Sequence, residues 1–126
     1  MVAERLSSRI SSRPPTVISV NSRVDYFLTQ NVKGKLYRSC GNCSKSYTRS
    51  VVIDNVCLKN GGEAAGINSN FGDTATLTNI KTSGKPTSAN VCCTYKGVAS
   101  GSEPSKIGCG DSFSACNYKA SSVGSC

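Results

Sequence analysis

Two cationic side chains three positions apart, Lys35 and Arg38, are the residues of this chain whose types and spacing favour chemistry on an anion. A neutral lysine can accept a proton, and an arginine binds carboxylates through a planar fork of donors. Side chains alternate between the two faces of a strand, so both cations share one surface only if the chain bends near them. Gly34, beside Lys35, permits such a bend. Most pairs with this spacing are solvated surface charges, so the context has to decide.

The sequence contains no histidine, which removes several classes of chemistry. A Ser-His-Asp triad, a zinc site with histidine ligands and an imidazole acid–base pair are excluded. Four carboxylates, Asp54, Glu63, Asp73 and Asp111, are candidate ligands for a hard cation. Because they are scattered singly along the chain, the sequence assigns no metal ligands.

Eight cysteines in 126 residues are typical of proteins from an oxidising compartment. Cys40-x-x-Cys43 fits a redox pair, half of a zinc site or a local disulfide. The adjacent Cys92 and Cys93 do not form a second zinc-ligand pair, and the βαβ context of a thioredoxin-like motif is missing. We therefore expect structural disulfides, whose pairing the sequence leaves open.

The length of 126 residues and the 37% hydrophobic content predict one domain with a small core. The net charge of +8 is concentrated, because residues 1–49 carry +7 and the other 77 carry +1, which favours a polyanionic partner. Residues 1–15 are rich in serine and arginine and end in Pro-Pro, so we expect an irregular basic arm ahead of a domain over 16–126. No run is apolar enough for a leader peptide or a membrane span.

From residue 16 onward, short runs of β-type composition alternate with turns rich in glycine, asparagine and serine. The strand-like runs are residues 16–20, 35–38, 51–53, 56–58, 66–68, 74–77, 80–82 and 91–95. Most are three to five residues long, which is too short for helices and short even for the strands of a β-sandwich.

Equivalent runs return at a nearly constant spacing: 23 residues from Val51 to Thr74, 24 from Val56 to Ile80 and 26 from Gly66 onward to Cys92. Such a period is typical of stacked repeats. It predicts an all-β chain folded as a right-handed parallel β-helix, a partial solenoid of about four coils. We also expect Asn55, Asn68 and Asn79 to bond their copies in the next coil. The alternative is an antiparallel β domain held by disulfides, which fits the cysteines but not the period.

Three segments resemble, in this order, the C-terminal part of the pectate lyases of polysaccharide lyase family 3: GKLYRSCGNCSKSYTRSVVIDNV, GINSNFGDTATLTNI and CTYKGVASGSEPSKIG. The resemblance covers roughly two thirds of the chain. It implies the same β-helix and a secreted lyase, dependent on Ca2+, that cleaves de-esterified polygalacturonate (pectate). It also implies that Lys35 and Arg38 are catalytic residues lining the substrate groove.

The chemistry of that family suits such a pair. β-Elimination takes the proton from C5 of a galacturonate unit and expels the oxygen at C4, so negative charge develops on the uronate carboxylate. Ca2+, lysine and arginine stabilise that charge, and a neutral lysine can serve as the base at alkaline pH. The resemblance therefore implies polygalacturonate as the partner of a monomeric extracellular protein. A membrane is not an expected partner. Nucleic acid is not expected either, since aromatic residues among the early cations are sparse.

The sequence departs from the family upstream of Lys35. Family members carry there an acidic cluster for the main calcium ion, and a further catalytic lysine about one coil earlier. The corresponding stretch, SSRISSRPPTVISVNSRVDYF, has neither, and Arg13 lies in no matching motif. We therefore expect an N-terminally truncated pectate lyase, inactive if the missing half is needed for calcium. The alternative is a non-catalytic remnant that binds acidic polysaccharide.

Overall fold

A computed structural model describes residues 6–13, 17–31, 33–44 and 47–126. The strands in these ranges are β1 (Leu6–Arg13), β2 (Val17–Gln30), β3 (Tyr37–Arg38), β4 (Thr48–Lys59), β5 (Ala65–Asn68), β6 (Thr74–Ser83), β7 (Cys92–Lys96), β8 (Ser105–Cys109), β9 (Cys116–Asn117) and β10 (Gly124–Ser125). Three 3-10 helices join them, at Ser69–Phe71, Ser88–Asn90 and Ala120–Ser122. Within the described ranges, no helix has the length and hydropathy of a membrane span.

The chain winds in stacked circuits, each of which gives one strand to each of two sheets. β2, β4 and β6 pair in parallel in the first sheet, and β3, β5 and β7 pair in parallel in the second. β9 and β10 add part of a fourth layer on β6. This is the right-handed parallel β-helix that the period predicts. The spacing itself is confirmed, because Val56 pairs with Ile80, 24 residues further on.

Two of the predicted runs in a circuit form one strand that bends in the middle. Ile53 and Val56 of β4 are both buried although they are three residues apart, so the inward face changes phase between them. The change occurs at Asn55, whose φ is +57°. The register stacks Tyr26 (φ +50°) and Asn79 (φ +52°) on it, so the left-handed bend recurs in three circuits. Asparagine tolerates this conformation better than most residues, which explains two of the three positions.

The core consists of aliphatic columns that run along the axis of the solenoid. In one column Val24, Ile53 and Leu77 stack through the pairing of β2, β4 and β6, and all three are buried. Stacked β-branched and aliphatic residues fit a pleated surface well, since each circuit covers the apolar face of the next.

All eight cysteines form disulfides, which confirms the expectation of structural cross-links. The pairs are Cys40–Cys43, Cys57–Cys126, Cys92–Cys116 and Cys93–Cys109. The CxxC pair is therefore a local bridge. Cys92 and Cys116 are 24 residues apart, about one circuit.

The structure differs from the sequence-based expectations at two places. Leu6–Arg13 is a strand paired antiparallel with β2, where we expected an irregular arm over residues 1–15; residues 1–5, 14 and 15 lie outside the described ranges. Asn68 and Asn79 bond across circuits, but to Ser39 and Asp54 rather than to their own copies. A carboxylate is a stronger acceptor than an amide, and Asp54 lies beside the position that Asn79 faces.

Candidate active site

A cleft of about 190 Å³ lies on the second sheet, where the sequence predicted a groove. Eight residues line it: Lys35, Arg38, Ser39, Gly66, Asn68, Tyr95, Glu103 and Pro104. The described structure thus brings the two cations of the GKLYRSC segment to one surface. Whether they are catalytic stays a prediction.

The local geometry explains how Lys35 and Arg38 share a surface. β3 begins only at Tyr37, so the strict alternation of a strand does not extend back to Lys35. Tyr37 points into the core and is buried, whereas Arg38 is exposed on the outside. The segment is fixed to the next circuit by backbone hydrogen bonds from Leu36 to Glu63, at 3.0 Å, and from Tyr37 to Ala64, at 2.9 Å.

A buried carboxylate holds the chain immediately after Arg38. Asp73 is 1% exposed, and its Oδ2 accepts hydrogen bonds from Ser39 Oγ, at 2.6 Å, and from the Asn68 backbone N–H, at 3.1 Å. Its Oδ1 accepts the backbone N–H of Arg49 at 2.9 Å. Asn68 Nδ2 donates to Ser39 Oγ at 2.8 Å and closes the network. Because Ser39 and Asn68 both line the cleft, Asp73 supports the cleft from behind.

The same carboxylate affects a buried tyrosine of the GKLYRSC segment. Burial raises the pKa of Tyr37, and the nearby charge of Asp73 raises it further, while Arg49 acts in the opposite direction. Burial and the charge of Asp73 both favour the neutral phenol of Tyr37.

The ammonium of Lys35 lies over the ring of Tyr95, 4.9 Å from its centroid. Tyr95 in turn donates from its hydroxyl to Glu63, and Lys106 forms an ion pair with the same carboxylate at 3.0 Å. Glu103 is the exposed carboxylate among the residues that line the cleft. The site therefore combines two cations with one anion.

The described carboxylates do not fit a calcium site. In the ranges 6–13, 17–31, 33–44 and 47–126, no three His, Cys, Asp or Glu side chains lie together as a metal would require. Each of the four candidate carboxylates instead accepts hydrogen bonds within the protein. Glu63 accepts from Tyr95 and Lys106, and Asp73 accepts from Ser39. Asp111 accepts from the backbone N–H of Ala120, and Asp54 accepts from Thr78 and Asn79. Hydrogen bonds from Thr78 and Asn79 lower the pKa of Asp54. None of the four is among the residues that line the cleft.

Sequence reasoning missed several residues that line the cleft, above all Gly66 and Tyr95. Both lie inside the motifs GINSNFGDTATLTNI and CTYKGVASGSEPSKIG, but nothing local marks them. The register supplies the missing signal, because Arg38 pairs with Gly66, and Asn68 pairs with Tyr95. Aligning successive circuits would have placed both beside Lys35 and Arg38.

Comparison with known proteins agrees with this architecture. The sequence profile of the family described as Pectate lyase matches residues 19–102. A probable pectate lyase F from Aspergillus terreus is 53% identical over 75 residues, which are 60% of this chain and 30% of that protein. A probable pectate lyase E from Neosartorya fischeri is 47% identical over 94 residues, 74% of this chain and 35% of that protein.

Two crystal structures share the fold. Pectate lyase PelI from Erwinia chrysanthemi, in complex with tetragalacturonic acid, superposes with a TM-score of 0.67 at 33% identity, over 79% of this chain and 34% of that one. Pectate lyase Pel3 from Pectobacterium carotovorum gives a TM-score of 0.66 at 30% identity, over 82% and 35%. The chain thus spans about a third of the length of the proteins it matches. Since the profile covers two thirds of its residues, the chain belongs to the pectate lyase family.

Proposed function

We propose that this protein cleaves de-esterified polygalacturonate by β-elimination in the cleft between Lys35 and Arg38. The observation that carries the proposal is the shared location of these two cations on one groove of a pectate lyase β-helix. A solved relative at 33% identity has tetragalacturonic acid bound, which supports an oligogalacturonate as the ligand. Membership of family 3 within the lyases is part of the proposal.

The two cations have different chemical abilities, which suggests their roles. An arginine stays charged at any pH an enzyme meets and binds a carboxylate through two parallel N–H donors, so Arg38 holds the uronate carboxylate. A lysine can become neutral at alkaline pH, so Lys35 accepts the C5 proton. The C5–H electrons form the C4–C5 double bond, the C4–O4 bond breaks, and the leaving oxygen takes a proton from water. Arg38 stabilises the charge that develops on the carboxylate.

Calcium and location belong to the same proposal. Pectate lyases generally depend on Ca2+, which supplies further positive charge to the uronate carboxylate when bound. The described carboxylates offer no site for it, so we assign no ligand. Four disulfides support an oxidising compartment, and we propose that the protein acts outside the cell, as a monomer.

The test is an assay of pectate with Ca2+ at alkaline pH, which follows the ultraviolet absorbance of the unsaturated product. We expect turnover by the wild-type chain, and a loss of about a hundredfold or more in kcat for Lys35→Ala and Arg38→Ala. Lys81→Ala is the matched control, because Lys81 is exposed on a different groove. Lack of product with the folded wild-type chain would refute catalysis.

A second function, binding of acidic polysaccharide without turnover, is favoured by one observation. No group of carboxylates able to hold a metal lies within the described ranges. Retention of the wild-type chain on immobilised pectate, weakened in Arg38→Ala and without unsaturated product, would establish it. Product formation that disappears in Lys35→Ala would rule it out.

A further inference from the structure

Tyr95 has two cations over one ring. Lys35 Nζ lies 4.9 Å from the ring centroid, and Lys106 Nζ lies 5.7 Å from it. Both distances are in the range of cation–π attraction, in which the negative face of an aromatic ring attracts a positive charge. Lys106 is the cross-strand partner of Tyr95, whereas Lys35 reaches the ring from another circuit.

Gly66 leaves the space in which the stem of Lys35 lies. A Cβ atom added to Gly66 would come within 2.6 Å of both Cδ and Cε of Lys35, and within 3.2 Å of Cε1 of Tyr95. Gly66 is not among the residues with positive φ, so the backbone there accepts any side chain. What the position requires is therefore space, and the group that fills the space is the lysine.

The ring itself is held from behind. Tyr95 Oη donates to Glu63, 3.0 Å from Oε1 and 3.1 Å from Oε2. Lys106 Nζ donates to Glu63 Oε2 at 3.0 Å, and this hydrogen bond raises the pKa of Lys106. Lys106 thus keeps its charge, and its bond to Glu63, at an alkaline pH. The Glu63 side chain is only 14% exposed, whereas that of Lys106 is 50% exposed, so the carboxylate is the shielded partner of the pair.

We propose that Gly66 and Tyr95 form a platform that positions the amine of Lys35 in the cleft, with Glu63 and Lys106 fixing the orientation of the ring. The inference rests on the proposed function, because the positioned amine is the proposed base. A lysine side chain has four rotatable bonds, and a base must meet its proton at hydrogen-bond distance. The platform removes most of that freedom before the substrate arrives, which is the usual route to efficient proton transfer. Tyr95 and Gly66 are positioning residues.

The first test reads the position of Lys35 without using activity. A methylene group over an aromatic ring experiences a ring current, so the Cδ and Cε protons of Lys35 should resonate upfield of a free lysine. We would label the lysines with 13C and assign Lys35 from the spectrum of Lys35→Arg. The upfield shift is expected to persist in Tyr95→Phe, to disappear in Tyr95→Leu and to change in Gly66→Ala. If the Lys35 protons of the wild type have the chemical shifts of a free lysine, or if their shift is unchanged in folded Tyr95→Leu, the platform is overturned.

The second test reads catalysis. We expect Tyr95→Leu and Gly66→Ala to lower kcat by about tenfold or more, with KM changed by less than about threefold, because substrate still meets Arg38. Tyr95→Phe keeps the ring but loses the hydrogen bond to Glu63, so its kcat should fall by less than that of Tyr95→Leu. Gly108→Ala is the matched control, because its Cβ would also press on an aromatic ring, 2.7 Å from Phe113 Cζ, but away from Lys35. Wild-type kcat in folded Tyr95→Leu would overturn the inference.

The two tests separate this inference from the proposed function. If the wild-type chain has no lyase activity, the proposed function falls, and the ring-current shift alone decides whether the platform exists. If the chain is active but the shift is absent, the platform falls while the function stands.

Discussion

Ser39 Oγ lies 2.6 Å from Asp73 Oδ2, although 34 residues separate the two along the chain. The bond joins the residue after Arg38 to a buried carboxylate one circuit further on. It links the conformation of the cleft to the stacking of the solenoid, because Asp73 also accepts the backbone N–H groups of Asn68 and Arg49. A change at Asp73 should therefore affect stability and site together.

Asp73→Ala leaves three buried or half-buried donors without an acceptor. We expect the free energy of unfolding to fall by about 3 kcal/mol or more, because such donors lose their partner without regaining water. Urea unfolding followed by circular dichroism measures the loss. The control is Asp111→Ala, whose exposed carboxylate accepts one hydrogen bond, from the Ala120 N–H at 2.8 Å, and should cost about 1 kcal/mol or less. Equal losses in the two variants would contradict the role of Asp73.

Arg38→Lys tests whether the fork of the guanidinium is used. A lysine keeps the charge but not the two parallel donors, so kcat/KM for pectate should fall by about tenfold or more. The unfolding midpoint should not move, since Arg38 is exposed. Steady-state kinetics against pectate measure the effect, and a variant as efficient as wild type would mean that Arg38 contributes charge alone.

Glu103→Gln tests the anion in the cleft. Glu103 and a uronate carboxylate carry the same charge, so its removal should lower KM for pectate by about two- to threefold at low salt. The difference should shrink at high salt, because screening weakens interactions between exposed charges. A KM that rises instead would show that Glu103 contributes to substrate binding.

Tyr118 should make the free energy of unfolding depend on pH in the alkaline range. Burial, followed by the nearby Asp111 charge, raises the pKa of Tyr118 from its usual value of 10.0 to about 12. The unfolded chain loses this proton first, so the contribution is complete below pH 10 and is lost as the pH rises toward about 12. We expect the free energy of unfolding to fall over that window.

Tyr118→Phe should make that slope shallower. The variant also loses the hydrogen bond from Tyr118 Oη to the Ser88 carbonyl, at 2.9 Å, so its stability below pH 10 should be lower by about 1 kcal/mol. The control is Tyr26→Phe, at a tyrosine that is 72% exposed. Urea titrations at several pH values measure both slopes. The same slope in wild type and Tyr118→Phe would refute the assignment.

The fold could be predicted to the extent that it depends on repetition. The spacing from Val56 to Ile80 is the register of β4 on β6, so counting residues was enough. The two runs around Asn55 were predicted as separate strands because the left-handed residue shifts the buried face and interrupts the alternation. A sequence pattern shows such a break but not that the strand continues through it.

The candidate site could be predicted only in part. Lys35 and Arg38 lie in a segment with a specific resemblance, and the structure puts both on one cleft. Gly66 and Tyr95 act through contacts with another circuit, so their place depends on a register that no local pattern reveals. The disulfides follow the same logic, since Cys92 meets Cys116 only after one full circuit.

The left-handed column at Tyr26, Asn55 and Asn79 limits where the chain can change length. One extra residue between Ile53 and Val56 would move the buried side chains of the rest of β4 to its solvent-facing side. These apolar side chains would then no longer pack on those of β2 and β6. The same insertion in the segment 87–90, outside the paired strands, should leave the register of β4 on β6 unchanged. Insertions are therefore expected to be tolerated at the corners between strands and not within β4, so that β2, β4 and β6 keep their register while the corners vary.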